Sequence, residues 1–198
     1  MAVRYAPIAQ SSRDDILTHT RVTGGGGVQL HVVEGGNRAG RPILFIHGFS
    51  QSWLCWDRQM QSDLANEFRL VALDLRGHGE SDKPHDGYSD CRLWADDIDA
   101  VIREVGLQQP LLCGWSYGSL VILDYIRQYG ENAIGGIAFG LPQEALRLLP
   151  IRGHVIATHV VVRMLGPRID QHFLAGRMGF AQDRLRRLPG QESLGVIG

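Results

Sequence analysis

The pentapeptide Gly114-Trp115-Ser116-Tyr117-Gly118 strongly constrains how this chain folds. It follows a short apolar run, residues 110–113, and precedes a stretch with helical character, residues 119–129. A strand that leads directly into a helix needs a tight turn, and the two glycines leave room for the strand and the helix to approach each other. Such a turn holds the Ser116 hydroxyl in the open, beside the positive end of a helix. We therefore predict that Ser116 is a nucleophile.

Composition argues against several classes of partner. The 198 residues are 44% hydrophobic and 21% charged, which suits one domain with a sizeable core. The 20 basic and 21 acidic side chains argue against binding to nucleic acid or to an anionic membrane surface. No run approaches the ~18 apolar residues of a membrane span, and residues 1–15 lack the apolar stretch of a signal peptide. We expect a soluble, cytoplasmic protein that acts on a small molecule, and we leave a homo-oligomer open.

Short apolar runs alternate with helical patterns along the chain. Residues 16–23 and 28–33 flank four glycines, which predicts an opening hairpin. Continuous apolar runs predict buried strands, and apolar residues at spacings of three and four predict helices. The strands are predicted at residues 42–46, 70–73, 110–113 and 133–139, and the helices at residues 53–68, 89–105 and 119–129. This alternation predicts an α/β fold with a mainly parallel sheet and flanking helices.

Three motifs occur in register with these elements. His47-Gly48 follows the first buried strand, the sequence DLRGHGESDKP at residues 74–84 follows the second, and GWSYGS spans residues 114–119. With these motifs, residues 28–140 resemble the first half of an α/β-hydrolase-fold enzyme. The resemblance is to the broad group of esterases, haloperoxidase-like hydrolases without haem, and carbon–carbon bond hydrolases. Residues 1–140 are then the N-terminal part of such a core.

The resemblance implies roles for residues around the pentapeptide. Ser116 would be the nucleophile, and the backbone N–H groups of Phe49 and Tyr117 would form the oxyanion hole. Both donors are expected just beyond strand ends, where ligands gather in open α/β sheets. His47 and His78 are expected to be structural, because in this fold the catalytic base follows the serine in the chain.

Other candidate residues allow two interpretations. Trp53 and Trp115 are candidates for the wall of a substrate pocket, although Trp53 also fits the apolar stripe of its predicted helix. The acidic cluster at residues 96–99 is expected to be a solvated helix face. The three cysteines lack the spacing of a metal site or a disulfide, and we expect Cys113 to be a small core residue. No motif for a metal or a cofactor is present.

The partners that Ser116 needs are not recognisable in the sequence. A catalytic serine requires a base that is itself oriented by an acid, and in this fold both follow the serine. The later histidines are His154, His159 and His172, and the later acids are Glu144, Asp170, Asp183 and Glu192. None follows a recognisable strand end, so the triad acid and base stay unassigned.

Residues 141–198 differ from the rest of the chain in charge. Residues 1–140 carry 12 basic and 17 acidic side chains, whereas residues 141–198 carry 8 and 4. We interpret residues 141–198 as a divergent or truncated tail in place of the lid and the last strands. One hypothesis is a frameshift or a premature end near residue 140. The other is a compact variant in which one of the late histidines is the base.

The resemblance implies a serine-dependent hydrolase of a small ester, lactone, thioester or similar carbonyl compound, with an acyl-enzyme at Ser116. Carbon–carbon bond hydrolysis and perhydrolysis would use the same residues. The alternative from another class is a protein that binds a ligand without catalysis, or an inactive remnant of such a hydrolase.

Overall fold

A single mixed sheet organises the described part of the chain. The computed structural model describes residues 17–140 together with the backbone of residues 155–157 and 160–164. The strands are Thr18–Thr23 (β1), Gln29–Gly36 (β2), Arg41–Ile46 (β3), Phe68–Leu73 (β4), Leu111–Trp115 (β5), Gly136–Gly140 (β6), Val155–Ala157 (β7) and Val160–Met164 (β8). Their order across the sheet is β1-β2-β4-β3-β5-β6-β8-β7.

The centre of the sheet is parallel. β3 pairs in parallel with β4 and with β5, and β5 pairs in parallel with β6. The hairpin of β1 and β2 adds antiparallel pairs at one end, and β8 and β7 add them at the other. The carboxyl ends of the four central strands meet at one edge, where ligands bind in open α/β sheets. This topology confirms the predicted fold class.

Alternate residues of the central strands belong to two hydrophobic cores, one on each face of the sheet. In β3, Ile43 and Phe45 face one side of the sheet, while Leu44 and Ile46 face the other. All four side chains are at most 1% exposed, so both faces of β3 are covered. This is why the central strands are continuously apolar in sequence rather than alternating.

Two longer helices cover one face of the sheet. They are Cys91–Glu104 (α3) and Tyr117–Tyr129 (α4), which confirms two of the three predicted helices. Asp90 caps α3 by accepting a hydrogen bond from the backbone N–H of Arg92 at 3.0 Å. Among the described helices, none has both the length and the apolar character of a membrane span.

The predicted single helix over residues 53–68 is wrong. The structure has a 3-10 turn at Trp53–Trp56 and two short helices, Asp57–Met60 (α1) and Leu64–Glu67 (α2), and residue 68 already belongs to β4. Ser62 interrupts the helical pattern, because its hydroxyl donates to the Gln59 carbonyl at 2.9 Å and accepts from the Leu64 N–H at 3.3 Å.

The apolar stripe of this segment is buried nevertheless. Trp56, Met60 and Leu64 belong to the same buried cluster as Phe45, on the sheet face opposite to α3 and α4. The spacing of apolar residues therefore predicted the buried side chains correctly, although the backbone between them is not one helix.

Of two further predictions, the opening hairpin is confirmed, whereas the solvated face at residues 96–99 is partly wrong. The predicted hairpin is confirmed: Thr23 pairs with Gln29, and Gly26 and Gly27 turn the chain with φ of 67° and 83°. The prediction that residues 96–99 form a solvated face is wrong for Asp97. This carboxylate is fully buried because it lies on the same side of α3 as Trp94 and Val101, three and four residues away.

Asp97 forms an ion pair with a buried arginine. Arg76 Nε lies 2.7 Å from one carboxylate oxygen of Asp97, and Arg76 Nη2 lies 2.7 Å from the other. Arg76 Nη2 also donates to the carbonyl groups of Gly25 and Leu93, at 2.8 and 2.9 Å. Burial raises the pKa of the Asp97 carboxyl, and the guanidinium of Arg76 opposes that rise. The pair joins α3, the hairpin turn and the chain segment after β4.

Candidate active site

Ser116 lies on the turn between β5 and α4, and its backbone is strained. Its φ is 52° and its ψ is −117°, a combination that a serine adopts only when its surroundings enforce it. The residue is exposed and immediately precedes the first turn of α4. The positive end of the α4 dipole therefore lies beside the Ser116 hydroxyl.

Glycines on both sides of Ser116 allow close packing. A Cβ atom on Gly114 would lie 2.8 Å from the backbone carbonyl carbon of Gly118. A Cβ atom on Gly118 would lie 2.3 Å from the carbonyl oxygen of Ile46. Neither position accepts a side chain without moving β3, β5 or α4, so the glycine spacing in the sequence has a direct steric cause.

The segment after β3, residues 47–51, passes beside Ser116; we call it the β3 loop. A Cβ atom on Gly48 would lie only 3.1 Å from Cβ of Ser116. The side chain of Phe49 is 70% exposed. The N–H of Tyr117 belongs to the first turn of α4, where no intrahelical acceptor is available. The structure thus brings the β3 loop and the start of α4 together around Ser116.

His47 and His78 hold backbone groups with both ring nitrogens. His47 is fully buried; its Nε2 accepts from the N–H of Leu75 at 3.0 Å, and its Nδ1 donates to the carbonyl of Gly48 at 2.7 Å. Burial lowers the pKa of His47, which therefore favours the neutral ring. In His78, Nδ1 donates to the carbonyl of Arg76 at 2.9 Å. His78 Nε2 accepts from the N–H of Ser50 at 3.2 Å.

The segment after β4, residues 74–84, is the β4 loop, and Asp74 anchors its start. The carboxylate is fully buried. It accepts hydrogen bonds from His31 Nδ1 at 2.8 Å, from the Trp53 N–H at 2.6 Å and from the Glu80 N–H at 2.9 Å. His31 in turn lies 2.9 Å from a ring nitrogen of His19. The sequence alone does not reveal this cluster; the one signal for it is an acid directly after a buried strand.

An aromatic cavity of about 470 Å³ opens beside the β3 loop. Most of the described side chains that line it are aromatic rings, and none of them is a carboxylate, a lysine or an arginine. They are Phe49, Ser50, Gly77, His78, Tyr88, Trp94 and Tyr117. Burial raises the pKa of Tyr117, so its hydroxyl is neutral at physiological pH.

The two predicted pocket tryptophans lie elsewhere. The ring of Trp53 packs edge-on against His19, with 5.7 Å between centroids. Trp115 is 39% exposed and lies close to Gly48. Neither lines the aromatic cavity, so their contribution to a substrate pocket stays a prediction.

The late candidates for the triad base and acid lie outside the described residues. Within residues 17–140, the histidines nearest the β3 loop, His47 and His78, already use both ring nitrogens. No group of three metal-ligating side chains converges in that part of the chain. Burial raises the pKa of the Cys55 thiol to about 12, so it is not a competing nucleophile at neutral pH. Cys113 is buried in the core, as predicted.

Comparison with known proteins gives the family. A model of the alpha/beta hydrolase family matches residues 43–195, a range that includes all three motifs of the sequence analysis. Because the match covers most of the chain, the chain belongs to the alpha/beta hydrolase family.

Several relatives are enzymes by name. The chain is 34% identical over 149 residues to Epoxide hydrolase 4 from Mus musculus, covering 73% of this chain and 41% of the relative. It is 36% identical over 113 residues to the bifunctional esterase/perhydrolase of Acinetobacter calcoaceticus, covering 57% and 41%. The crystal structure of an esterase from Rhodococcus sp. ECU1013 superposes with a TM-score of 0.58 at 42% identity, covering 60% and 44%. The chain therefore spans less than half the length of each of these relatives.

Proposed function

We propose that this chain carries the nucleophile and the oxyanion hole of a serine hydrolase that cleaves a small ester, lactone or thioester. The observation that carries the proposal is the strained backbone of Ser116, at φ 52° and ψ −117°, beside the β3 loop. Strain of this kind persists only where the surrounding structure enforces it, and it is concentrated at functional sites.

The reaction follows from the groups around Ser116. Its Oγ attacks the substrate carbonyl carbon, and the carbonyl electron pair moves onto the oxygen. The N–H groups of Phe49 and Tyr117 donate to that oxyanion, and one such donor is worth about 3 kcal/mol. The carbonyl then re-forms, the bond to the leaving group breaks, and the serine proton reaches the leaving group by way of a base. Water next attacks the acyl-enzyme and releases the acid.

The base is proposed to come from outside residues 17–140. Both nitrogens of His47 hold the backbone of Leu75 and Gly48, and both nitrogens of His78 hold the backbone of Arg76 and Ser50. A base needs a free lone pair within hydrogen-bonding distance of the serine. His154, His159 and His172 therefore remain the candidates.

Serine at this position favours acyl transfer over epoxide opening. A relative of this chain is named an epoxide hydrolase. Attack of a serine hydroxyl on an epoxide would give an ether, which water does not cleave under mild conditions. Attack on an ester gives an acyl-enzyme that water hydrolyses, so only the second reaction turns over with Ser116 as nucleophile. Carbon–carbon bond hydrolysis and perhydrolysis would pass through the same acyl-enzyme.

The aromatic cavity supports a neutral substrate with an apolar group. The described lining residues are mostly aromatic rings and carry no fixed charge, so they bury the apolar surface of a ligand and offer no partner to a charged ligand. The free thiols of Cys55 and Cys91 support a reducing compartment, and we propose a cytoplasmic location, which cell fractionation would test.

A fluorophosphonate probe tests the nucleophile directly. We expect covalent labelling of Ser116, loss of the label in Ser116→Ala, and hydrolysis of p-nitrophenyl butyrate by the wild type alone. A folded wild-type protein that takes no label would support the non-catalytic alternative instead. If the wild type is labelled, replacing His154, His159 and His172 one at a time would identify the base by the loss of both labelling and ester hydrolysis.

A further inference from the structure

Three consecutive backbone N–H groups of the β3 loop differ in their hydrogen bonding. The N–H of Gly48 donates to Oε1 of Gln51 at 3.0 Å, and the N–H of Ser50 donates to Nε2 of His78 at 3.2 Å. Between them, the N–H of Phe49 makes no hydrogen bond within the described part of the chain. Side chains therefore bond to the peptide groups on both sides of that of Phe49, whose own N–H has no partner among the described residues.

The backbone at this point is strained. Ser50 has a φ of 58°, in the left-handed region that a serine rarely adopts. A conformation of this kind persists only when neighbouring groups enforce it. The hydrogen bond from the Ser50 N–H to His78 is one such constraint, and the bond between Gln51 and Gly48 is another.

His78 is itself held in an orientation that makes it an acceptor. Its Nδ1 donates to the carbonyl of Arg76 at 2.9 Å, which leaves a lone pair on Nε2 for Ser50. Its ring packs edge-on against His47 at 5.2 Å and against Phe49 at 5.6 Å. The ring therefore contacts the β3 loop through Ser50 and through the Phe49 side chain.

We propose that Gln51 and His78 are positioning residues that present the Phe49 N–H to the reacting carbonyl oxygen. This inference rests on the proposed function, because it assigns the Phe49 N–H to an oxyanion formed at Ser116. By holding the peptide groups before and after that of Phe49, the two side chains help to fix the direction of its N–H, together with His47, which donates to the carbonyl of the same peptide group at 2.7 Å. Neither residue is assigned a bond to the reacting atoms, although the ring of His78 lines the aromatic cavity.

Two substitutions remove the acceptors, each with a matched control. Gln51→Met keeps the length of the side chain but accepts no strong hydrogen bond, and Gln108→Met makes the same change at an exposed position after α3. His78→Phe keeps the ring contacts but removes both nitrogens, and His85→Phe makes the same change at an exposed position shortly after the β4 loop. His78→Gln restores an acceptor near the position of Nε2.

Kinetics with p-nitrophenyl butyrate are the first measurement. A donor displaced by about 1 Å loses transition-state stabilisation, so we expect Gln51→Met and His78→Phe to lower kcat by about 10- to 100-fold. KM should stay close to the wild-type value, because the lost interaction belongs to the transition state. We expect His78→Gln to recover part of kcat. Values of kcat equal to those of the two controls, in proteins with unchanged thermal unfolding, would overturn the proposal.

Amide hydrogen exchange is the second measurement, and it needs no activity. In the wild type we expect slow exchange at Gly48 and Ser50 and faster exchange at Phe49. Gln51→Met should accelerate exchange at Gly48, and His78→Phe should accelerate it at Ser50. Equal protection of all three amides would overturn the positioning inference. An inactive wild type with this exchange pattern would instead refute the proposed function and leave the arrangement of the loop established.

Discussion

The buried ion pair of Arg76 and Asp97 gives a quantitative test of how the β4 loop is held. We consider Asp97→Asn, which keeps the shape of the side chain and removes its charge. In the wild type the side chain of Arg76 is 1% exposed and that of Asp97 is 0% exposed, with 2.7 Å between their closest atoms. The substitution leaves the guanidinium in the core without its counter-charge.

The magnitude follows from the burial of the pair. Removing one partner of a buried ion pair typically costs 3–5 kcal/mol, because the remaining charge stays desolvated. With an m-value of about 2 kcal/mol per molar urea, that loss lowers the unfolding midpoint by about 2 M. Asp99→Asn provides the control in the same helix. Its partner Arg103 is 66% exposed, and an exposed helix pair of this kind contributes little to stability because water screens it.

Urea unfolding of the three proteins, followed by tryptophan fluorescence, is the assay. The Arg76 guanidinium lies 5.8 Å from the ring centroid of Trp94, so this fluorophore reports on the site of the change. Equal midpoints for Asp97→Asn and Asp99→Asn would refute the view that burial sets the strength of the pair.

Three further predictions concern the core and the site. Gly118→Ala should lower the thermal midpoint and abolish labelling of Ser116, because the new Cβ would lie 2.3 Å from the carbonyl oxygen of Ile46; a wild-type midpoint would contradict this steric account. Leu64→Ala should cost about 2–5 kcal/mol in urea unfolding, since Leu64 is 0% exposed, whereas Leu54→Ala, at 60% exposed, should cost far less. The lowered pKa of His47 should make stability fall as the pH drops below 6.5, the ordinary value of the group, because the unfolded chain then binds a proton that the folded chain does not. His47→Gln should lose that part of the pH dependence, and an identical pH profile would contradict the assignment.

Local sequence patterns predicted the buried central strands, the two longer helices and the turn at Ser116. The continuous apolar runs of β3, β4 and β5 follow from burial on both faces, and the helical spacing after residue 89 follows from packing on one face of the sheet. The glycines around Ser116 predicted the turn because no other residue fits there. Each of these constraints acts over a few neighbouring residues, so a short segment of the sequence is enough to reveal it.

Contacts between distant residues were not predictable in the same way. Asp97 looks like part of an acidic surface until Arg76, 21 residues away, is placed beside it. His31 and Asp74 are 43 residues apart and meet only because β2 pairs with β4. The break at Ser62 depends on one hydroxyl that bonds to two backbone groups, which a pattern of apolar residues does not reveal.

The β4 loop connects these distant contacts to the site. From this one loop, Arg76 holds α3 and the hairpin turn, Leu75 donates to His47, and His78 accepts from the β3 loop. The carbonyl of Arg76 also orients the ring of His78. A loss at the ion pair should therefore reach the Phe49 N–H through His78 as well as lower stability. Asp97→Asn is then expected to reduce kcat under conditions where the protein remains folded, while Asp99→Asn is not. A protein with Asp97→Asn that unfolds in less urea and keeps the wild-type kcat would show that the loop supports the fold without orienting the oxyanion donor.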